Sequence, residues 1–175
     1  MKLLDKINIT KIIKKHIKTL KNYKTEKLGF DDLLTFIIFP LVGTSILLYF
    51  DIGLNDKATN IIITTLSILV GLLFNVIVII FDIVKRDSTL RIKNKLLEEL
   101  LTNISYSILL SLFIIAFTLL TYIENDLSKQ IFTGVVYFLI GNYFMTVLMI
   151  LKRMYQLFDN ELKEIEENTG ANTGS

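Results

Sequence analysis

Four apolar runs, each long enough to cross a hydrocarbon core of about 30 Å as a helix, limit what this chain can fold into. They occupy residues 33–50, 61–81, 104–123 and 131–151. Positive charge is unevenly distributed between them. The segment 51–60 holds one cation, Lys57, and the segment 124–130 holds one, Lys129. The other seventeen Lys and Arg residues lie elsewhere: nine in the N-terminal arm, five in the segment after Phe81 and three after Leu151. Cations stay on the cytoplasmic side of a membrane, so both termini and the middle segment are expected inside. The expected fold class is an all-α membrane protein with four transmembrane helices, N-in and C-in.

Composition agrees with that class. The chain is 52% hydrophobic with a single Pro, and a soluble domain would not gather its apolar residues into separate runs of membrane length. A signal peptide is not expected, because the first apolar run follows a long Lys-rich segment. With no Cys there is no disulfide framework, no thiolate metal site and no cysteine nucleophile. The formal net charge of +2 averages a basic arm against an acidic tail. The Ile-, Lys- and Asn-rich composition fits an AT-rich bacterial genome, which makes an inner (plasma) membrane the expected location. The sequence divides into an arm (1–30), a membrane domain (31–151), a helical extension (152–167) and a polar repeat (168–175). That last segment reads as a disordered end or an expression scar.

The arm carries Ile9, Ile12, Ile13, Ile17 and Leu20 at spacings of three and four, one stripe of a helix. Lys11, Lys14, Lys15, Lys18 and Lys21 take the other side, so the helix is amphipathic with a basic face. Such a helix can lie in the interface with its lysines on anionic membrane lipids. It can equally bind a soluble polyanion, a nucleotide or an oligonucleotide, or plug a pore entrance. Aromatic platforms for base stacking are sparse, with Tyr23 alone nearby. Gly29 and the Asp31-Asp32 pair break the pattern and mark a hinge. His16, among these lysines, is expected at the surface.

Ser88 or Thr89 is a candidate cap for a helix that includes Leu90, Leu97, Leu101 and Ile104, and no breaker separates it from the third run. One helix is therefore expected from about residue 90 to 123. Met154, Leu157, Phe158, Leu162 and Ile165 likewise continue the fourth run, with glutamates on the other side. Two apolar stripes leaving the membrane together must be covered, either within one protomer or between copies in a collar.

The runs also carry polar stripes that anchoring alone does not require. Thr64, Ser67, Gly71, Asn75 and Asp82 share one face of the second, and Ser67, Gly71 and Asn75 form a small-x-x-x-small pattern suited to close helix approach. Asn103, Ser107, Ser111 and Thr118 share a face of the third. Thr133, Gly134, Tyr137 and Gly141 share one of the fourth, with Asn142 near the midplane. In the first, Pro40 frees a carbonyl and can kink the helix. Such residues are common glue between membrane helices. Three stripes are nevertheless hard to bury in one closed bundle, whereas a symmetric homo-oligomer packs one inside the protomer, one between protomers and one along an axis. On that reading Thr64, Ser67, Gly71, Asn75 and Asp82 are candidate pore-lining residues. Asp82 also has Lys85 and Arg86 three and four residues on, the spacing of a simple ion pair.

Enzymatic chemistry finds no support. Catalytic residues, cofactors and metal ligands are all expected to be absent, since the only His lies in the arm and only Asp82 places a carboxylate in a span. The outer segments are mildly acidic, which leans toward cations.

The run Leu66-Ser67-Ile68-Leu69-Val70-Gly71-Leu72-Leu73-Phe74-Asn75, followed by apolar residues to Phe81-Asp82, resembles small multispan effectors of bacterial antiphage defence. The layout over residues 1–167 is similar to the membrane-channel effectors paired with a nucleotidyltransferase in Hailong-type systems. That resemblance implies a tetrameric ion channel held shut by a nucleotide-derived or single-stranded oligonucleotide ligand made by a companion enzyme, whose opening halts the infected cell. It also implies that Lys11, Lys14, Lys15, Lys18 and Lys21 sense the anion. The expected function is a gated homo-oligomeric channel. The alternatives are a non-conducting membrane subunit that anchors or senses for a cytoplasmic partner, and a holin-like lesion former.

Overall fold

The computed structural model describes residues 9–20, 34–86, 91–123 and 125–172, and every regular element among them is helical. Helix α1 is Ile9–Thr19. A π-helical turn, Leu34–Ile38, runs into α2, Phe39–Tyr49. Then follow α3 (Asp56–Arg86), α4 (Arg91–Leu120) and α5 (Asp126–Asn172). Three of these are long and apolar enough to cross a membrane, over Asp56–Asp82, Lys95–Leu120 and Asp126–Asn160. The fourth apolar helix, Leu34–Tyr49, is shorter, about 24 Å at about 1.5 Å per residue.

Local chemistry sets these limits. Pro40 has no N–H, so the turn before it widens into the π-helical form where an ordinary helix would lose a bond. Beyond α2 the chain reverses at Asp51, whose φ of 51° is a conformation that Asp tolerates better than most residues. Asn55 then caps α3, its Oδ1 accepting from Ala58 N at 2.8 Å. Asn125 caps α5 in the same way, accepting from Leu127 N at 3.0 Å. Asp56 and Asp126 add acids to the first turns, where the helix dipole favours them.

α4 begins at Arg91 and continues unbroken through the third apolar run, as its sequence requires. Its candidate caps, Ser88 and Thr89, lie outside the described residues, as do Lys21, Gly29 and the Asp31-Asp32 pair. α5 corrects one expectation. Residues 168–172, in the segment read as a disordered end or an expression scar, are helical up to Asn172, which bears on the first of those readings. Once a helix is nucleated, each added residue needs only one more bond, so polar residues without a Pro extend it.

The apolar helices are arranged as a row rather than a closed bundle. Among the described elements, α4 packs against α3 and α5, α5 packs against α2, and α2 and α3 do not meet. α4 is the centre, with Leu100, Ile104 and Ile114 fully buried. One cluster joins Leu73 and Ile80 of α3, Leu97, Leu100 and Ile104 of α4, and Ile150 and Leu157 of α5. The other joins Leu66, Leu110, Ile114, Val136 and Tyr143 nearer the short connections. At that end Tyr137 Oη donates to Ile52 O at 2.8 Å and Tyr122 Oη to Asp56 Oδ1 at 3.0 Å.

Between apolar helices in lipid no hydrophobic force operates, so close approach decides packing. A Cβ on Gly141 would stand 2.8 Å from Pro40 Cβ, which makes this glycine the point where α5 and α2 touch. Gly43 meets nothing within 4 Å. Gly141→Ala is therefore expected to destabilise the protein by about 1–3 kcal/mol through overpacking, while Gly43→Ala leaves it unchanged. Thermal unfolding of both variants in detergent checks this.

Candidate functional site

Two places concentrate polar side chains: the seat of α1 on the row, and the face of α3 turned away from it.

The seat of α1 is built around His16. The surface position expected for this residue is wrong: His16 is 3% exposed. Its ring stacks on Tyr106 of α4 at 3.7 Å between centroids and 8° between planes, and meets the edge of Phe36 at 6.3 Å. Nδ1 lies 2.9 Å from Asn103 Oδ1. The reason is the rotation of α1. It turns His16, Ile9, Ile12 and Thr19 inward, and leaves Ile13 and Ile17 of the apolar stripe exposed. A polar patch on α4 selects a mixed face over a purely apolar one.

Thr19 Oγ1 completes the patch, 2.7 Å from His16 O and 2.8 Å from Asn103 Oδ1. It has one proton for two acceptors, while Asn103 Nδ2 is buried with no partner. A half-turn of the Asn103 amide would satisfy both, with Nδ2 donating to His16 Nδ1 and to Thr19 Oγ1. In either orientation the imidazole is neutral. Burial pushes its pKa down from 6.5 to about 4, opposed by the Asn103 hydrogen bond and reinforced by the Arg153 charge.

Charged pairs surround this patch. Arg153 of α5 donates from Nη2 to Thr19 O at 2.9 Å, and its Nη1 lies 2.9 Å from Glu99 Oε2. That second contact is an ion pair rather than a directed hydrogen bond, because the N–H is not aimed at the carboxylate. Lys15 Nζ donates to Glu98 Oε1 at 2.7 Å, so this predicted lysine is engaged with the protein itself. Lys11, Lys14 and Lys18 are exposed on the outer side of α1.

The polar stripes separate by location. On α4, Asn103, Ser107, Ser111 and Thr118 are all buried, and Ser111 and Thr118 bond back to carbonyls of their own helix. On α5, Thr133 is buried, Gly134 and Gly141 face α2, and Thr146 bonds to Asn142 O. These two stripes hold the protomer together. On α3, by contrast, Thr64, Ser67, Gly71, Asn75 and Asp82 are all exposed, and a Cβ on Gly71 would meet nothing within 4 Å. The ion pair that its spacing suggested for Asp82 does not form with Lys85, whose ammonium lies 4.8 Å from the centre of the Phe81 ring.

No protein-family model, curated protein or solved structure matches the chain. Its function must be argued from these two places. Among the described residues no group of three or more His, Cys, Asp or Glu could hold a metal ion. Sequence reasoning found the α3 stripe and the lysines of α1, but missed Asn103, Tyr106 and Arg153 as partners of the arm. The lone His on a helix face that also carries Thr19 was the available sign, since a neutral imidazole among lysines has few uses at a surface.

Proposed function

We propose that the chain is one protomer of a homo-oligomeric, gated ion channel, with four spans and both ends on the cytoplasmic side. The observation that carries this reading is the exposed polar face of α3, a helix with one neighbour in the row. An amide turned toward hydrocarbon is costly, whereas the same amide on a water-filled axis is not. Copies arranged with α3 innermost would surround an axis with Thr64, Ser67 and Asn75, leaving Asp82 at its mouth. The shorter α2 spans by local thinning of the bilayer, at a cost of fractions of a kcal/mol per Å.

α1 is the natural gate. It is docked on α4 at the end of the row where Asp82 lies, by polar contacts that a competing anion or a change of charge can weaken. Lys11, Lys14 and Lys18 offer that anion a surface. The resemblance to channel effectors of antiphage defence supports an inner-membrane effector that depolarises the infected cell, with a nucleotide or single-stranded oligonucleotide as the controlling ligand and a tetramer as the assembly.

Ion flux from liposomes tests the reading. Protein lacking its first 28 residues is expected to conduct constitutively, and the full chain to conduct less. If neither conducts in any condition, the channel is lost as an explanation. Oligonucleotide binding that falls steeply with salt and disappears when the five arm lysines become Gln would support the ligand. Binding unaffected by that change would remove it.

A further inference from the structure

The α5 extension beyond Leu151 has two different faces. Leu157 is 2% exposed and packs with Leu97 and Leu100 of α4. Leu151, Tyr155, Phe158 and Leu162 are 55%, 72%, 44% and 61% exposed. These four recur at spacings of four, three and four, a continuous apolar seam. At about 1.5 Å per residue, Leu162 stands roughly 16 Å beyond the last residue of the apolar run, out of reach of acyl chains. The outer part of the seam, Phe158 and Leu162, therefore lies past the apolar run, and exposed apolar surface of this kind is covered in the working assembly.

Charge indicates what covers it. Residues 159–167 hold five acids against one cation, Lys163, which pairs with Asp159 at 2.7 Å. By helical spacing Glu161 and Glu166 flank the seam, whereas Glu164 and Glu167 fall on the other side of the helix. A seam edged by Glu161 and Glu166 repels its own copy and suits a basic, partly apolar helix. This chain has one. The outer side of α1 exposes Ile13 and Ile17 at 36% and 42%, between Lys14 and Lys18. Both surfaces lie at the same level along the row, because α1 contacts Glu98 and Asn103 while the neighbouring Leu97 and Leu100 pack with Leu157.

The arm of the same chain is on the wrong side. Arg153 reaches α1 through Thr19, and Leu162, nine residues further on, points about 180° away from Arg153 around the helix. A seam and a complementary helix on opposite flanks of one protomer cannot meet within it. Repeated head to tail between copies, they form a heterologous contact, which closes into a ring when the rotation between copies divides a full turn.

We infer that the exposed flank of α1, Ile13 and Ile17 with Lys14 and Lys18, docks on the Tyr155, Phe158 and Leu162 seam of the adjacent copy. This rests on the homo-oligomer proposed above. The neighbour's tail then clasps each arm from outside while His16 holds it from inside.

The absence of Cys allows a clean test. Full-length chains bearing Ile17→Cys and Phe158→Cys, differently tagged, are mixed before reconstitution and treated with a short bismaleimide. A crosslinked pair carrying both tags is expected, and Lys14→Glu with Lys18→Glu in the first chain should reduce its yield roughly tenfold. Glu161→Lys with Glu166→Lys in the second chain should restore it. A Phe158→Cys chain that crosslinks to itself would show the seam pairing with its own copy and overturn the inference. So would an internal crosslink in a chain bearing both cysteines, diluted in Cys-free protein. A Ser67→Cys chain distinguishes the two levels of the argument. Crosslinking there without any arm–tail pair rejects this contact alone, whereas no crosslink at either place, with a protomer-sized particle in detergent, rejects the oligomer itself.

Discussion

Lowering the pH from neutral to about 5 is expected to detach α1 from α4. The docked His16 is neutral with a pKa of about 4, against 6.5 for a free imidazole. Protons therefore bind more tightly to the undocked arm. Docking is complete above 6.5, weakens as pH falls below it, and levels off under about 4. The full difference is on the order of 3 kcal/mol, and roughly 2 kcal/mol of it is lost by pH 5. Every charge facing the ring favours this direction or is already engaged. Arg153 repels the imidazolium, Glu99 is held by Arg153, and Lys15 is held by Glu98. Tyr106 and Phe36, the aromatic neighbours, carry no charge to stabilise it. Spin labels at Thr10→Cys and Gln156→Cys, diluted with unlabelled chain, would report the arm directly. The distance distribution should gain a long, broad component between pH 7 and 5. In His16→Phe, which can still stack on Tyr106 but cannot titrate, the distances should not respond to pH. An identical response in both proteins would show that His16 is not the latch.

The contrast between what the sequence disclosed and what it did not follows from the range of the forces involved. α4 and α5 were legible because apolar spacing at three and four residues is a local property, unbroken by Gly or Pro pairs from residue 91 to 120 and from 126 to 167. The seat of His16 was not. It depends on Asn103 and Tyr106, nearly ninety positions away, and no local pattern announces a stack or an amide across that distance. The rotation of α1 was hidden for the same reason, since its apolar stripe of Ile9, Ile12, Ile13, Ile17 and Leu20 reads as one face, whereas the polar surface of α4 takes His16 and leaves Ile13 and Ile17 outside. The row of helices was also hidden. Three polar stripes suggested that one bundle could not absorb them all, but only the packing partners of α3 identify its stripe as the uncovered one. Gly134 and Gly141 read as small residues on one face, and their service to α2 emerged only with Pro40 beside them.

The other large effect is expected at Asn75. Its side chain is exposed on the α3 face that meets no other helix among the described residues, so substitution there costs the fold little. Asn75→Leu separates two surroundings. If the face meets lipid, a leucine is at least as well accommodated as an amide, and flux is unchanged. If the face lines an axis, a ring of leucines forms an apolar constriction that excludes water. Flux through protein lacking its first 28 residues, where the arm cannot gate, should then fall at least roughly tenfold, a barrier of about 1.4 kcal/mol. Asn75→Asp should act oppositely on selectivity, because a ring of carboxylates concentrates cations and repels anions. Reversal potentials under a salt gradient would read that shift. Thr118→Ala is the appropriate control, since Thr118 is fully buried within the protomer and its hydroxyl bonds only to Ile114 O of its own helix. It should leave selectivity alone whatever it does to stability. Unchanged flux in Asn75→Leu, with particle size preserved in detergent, would remove α3 from the axis and return the polar stripe to the role of glue between copies.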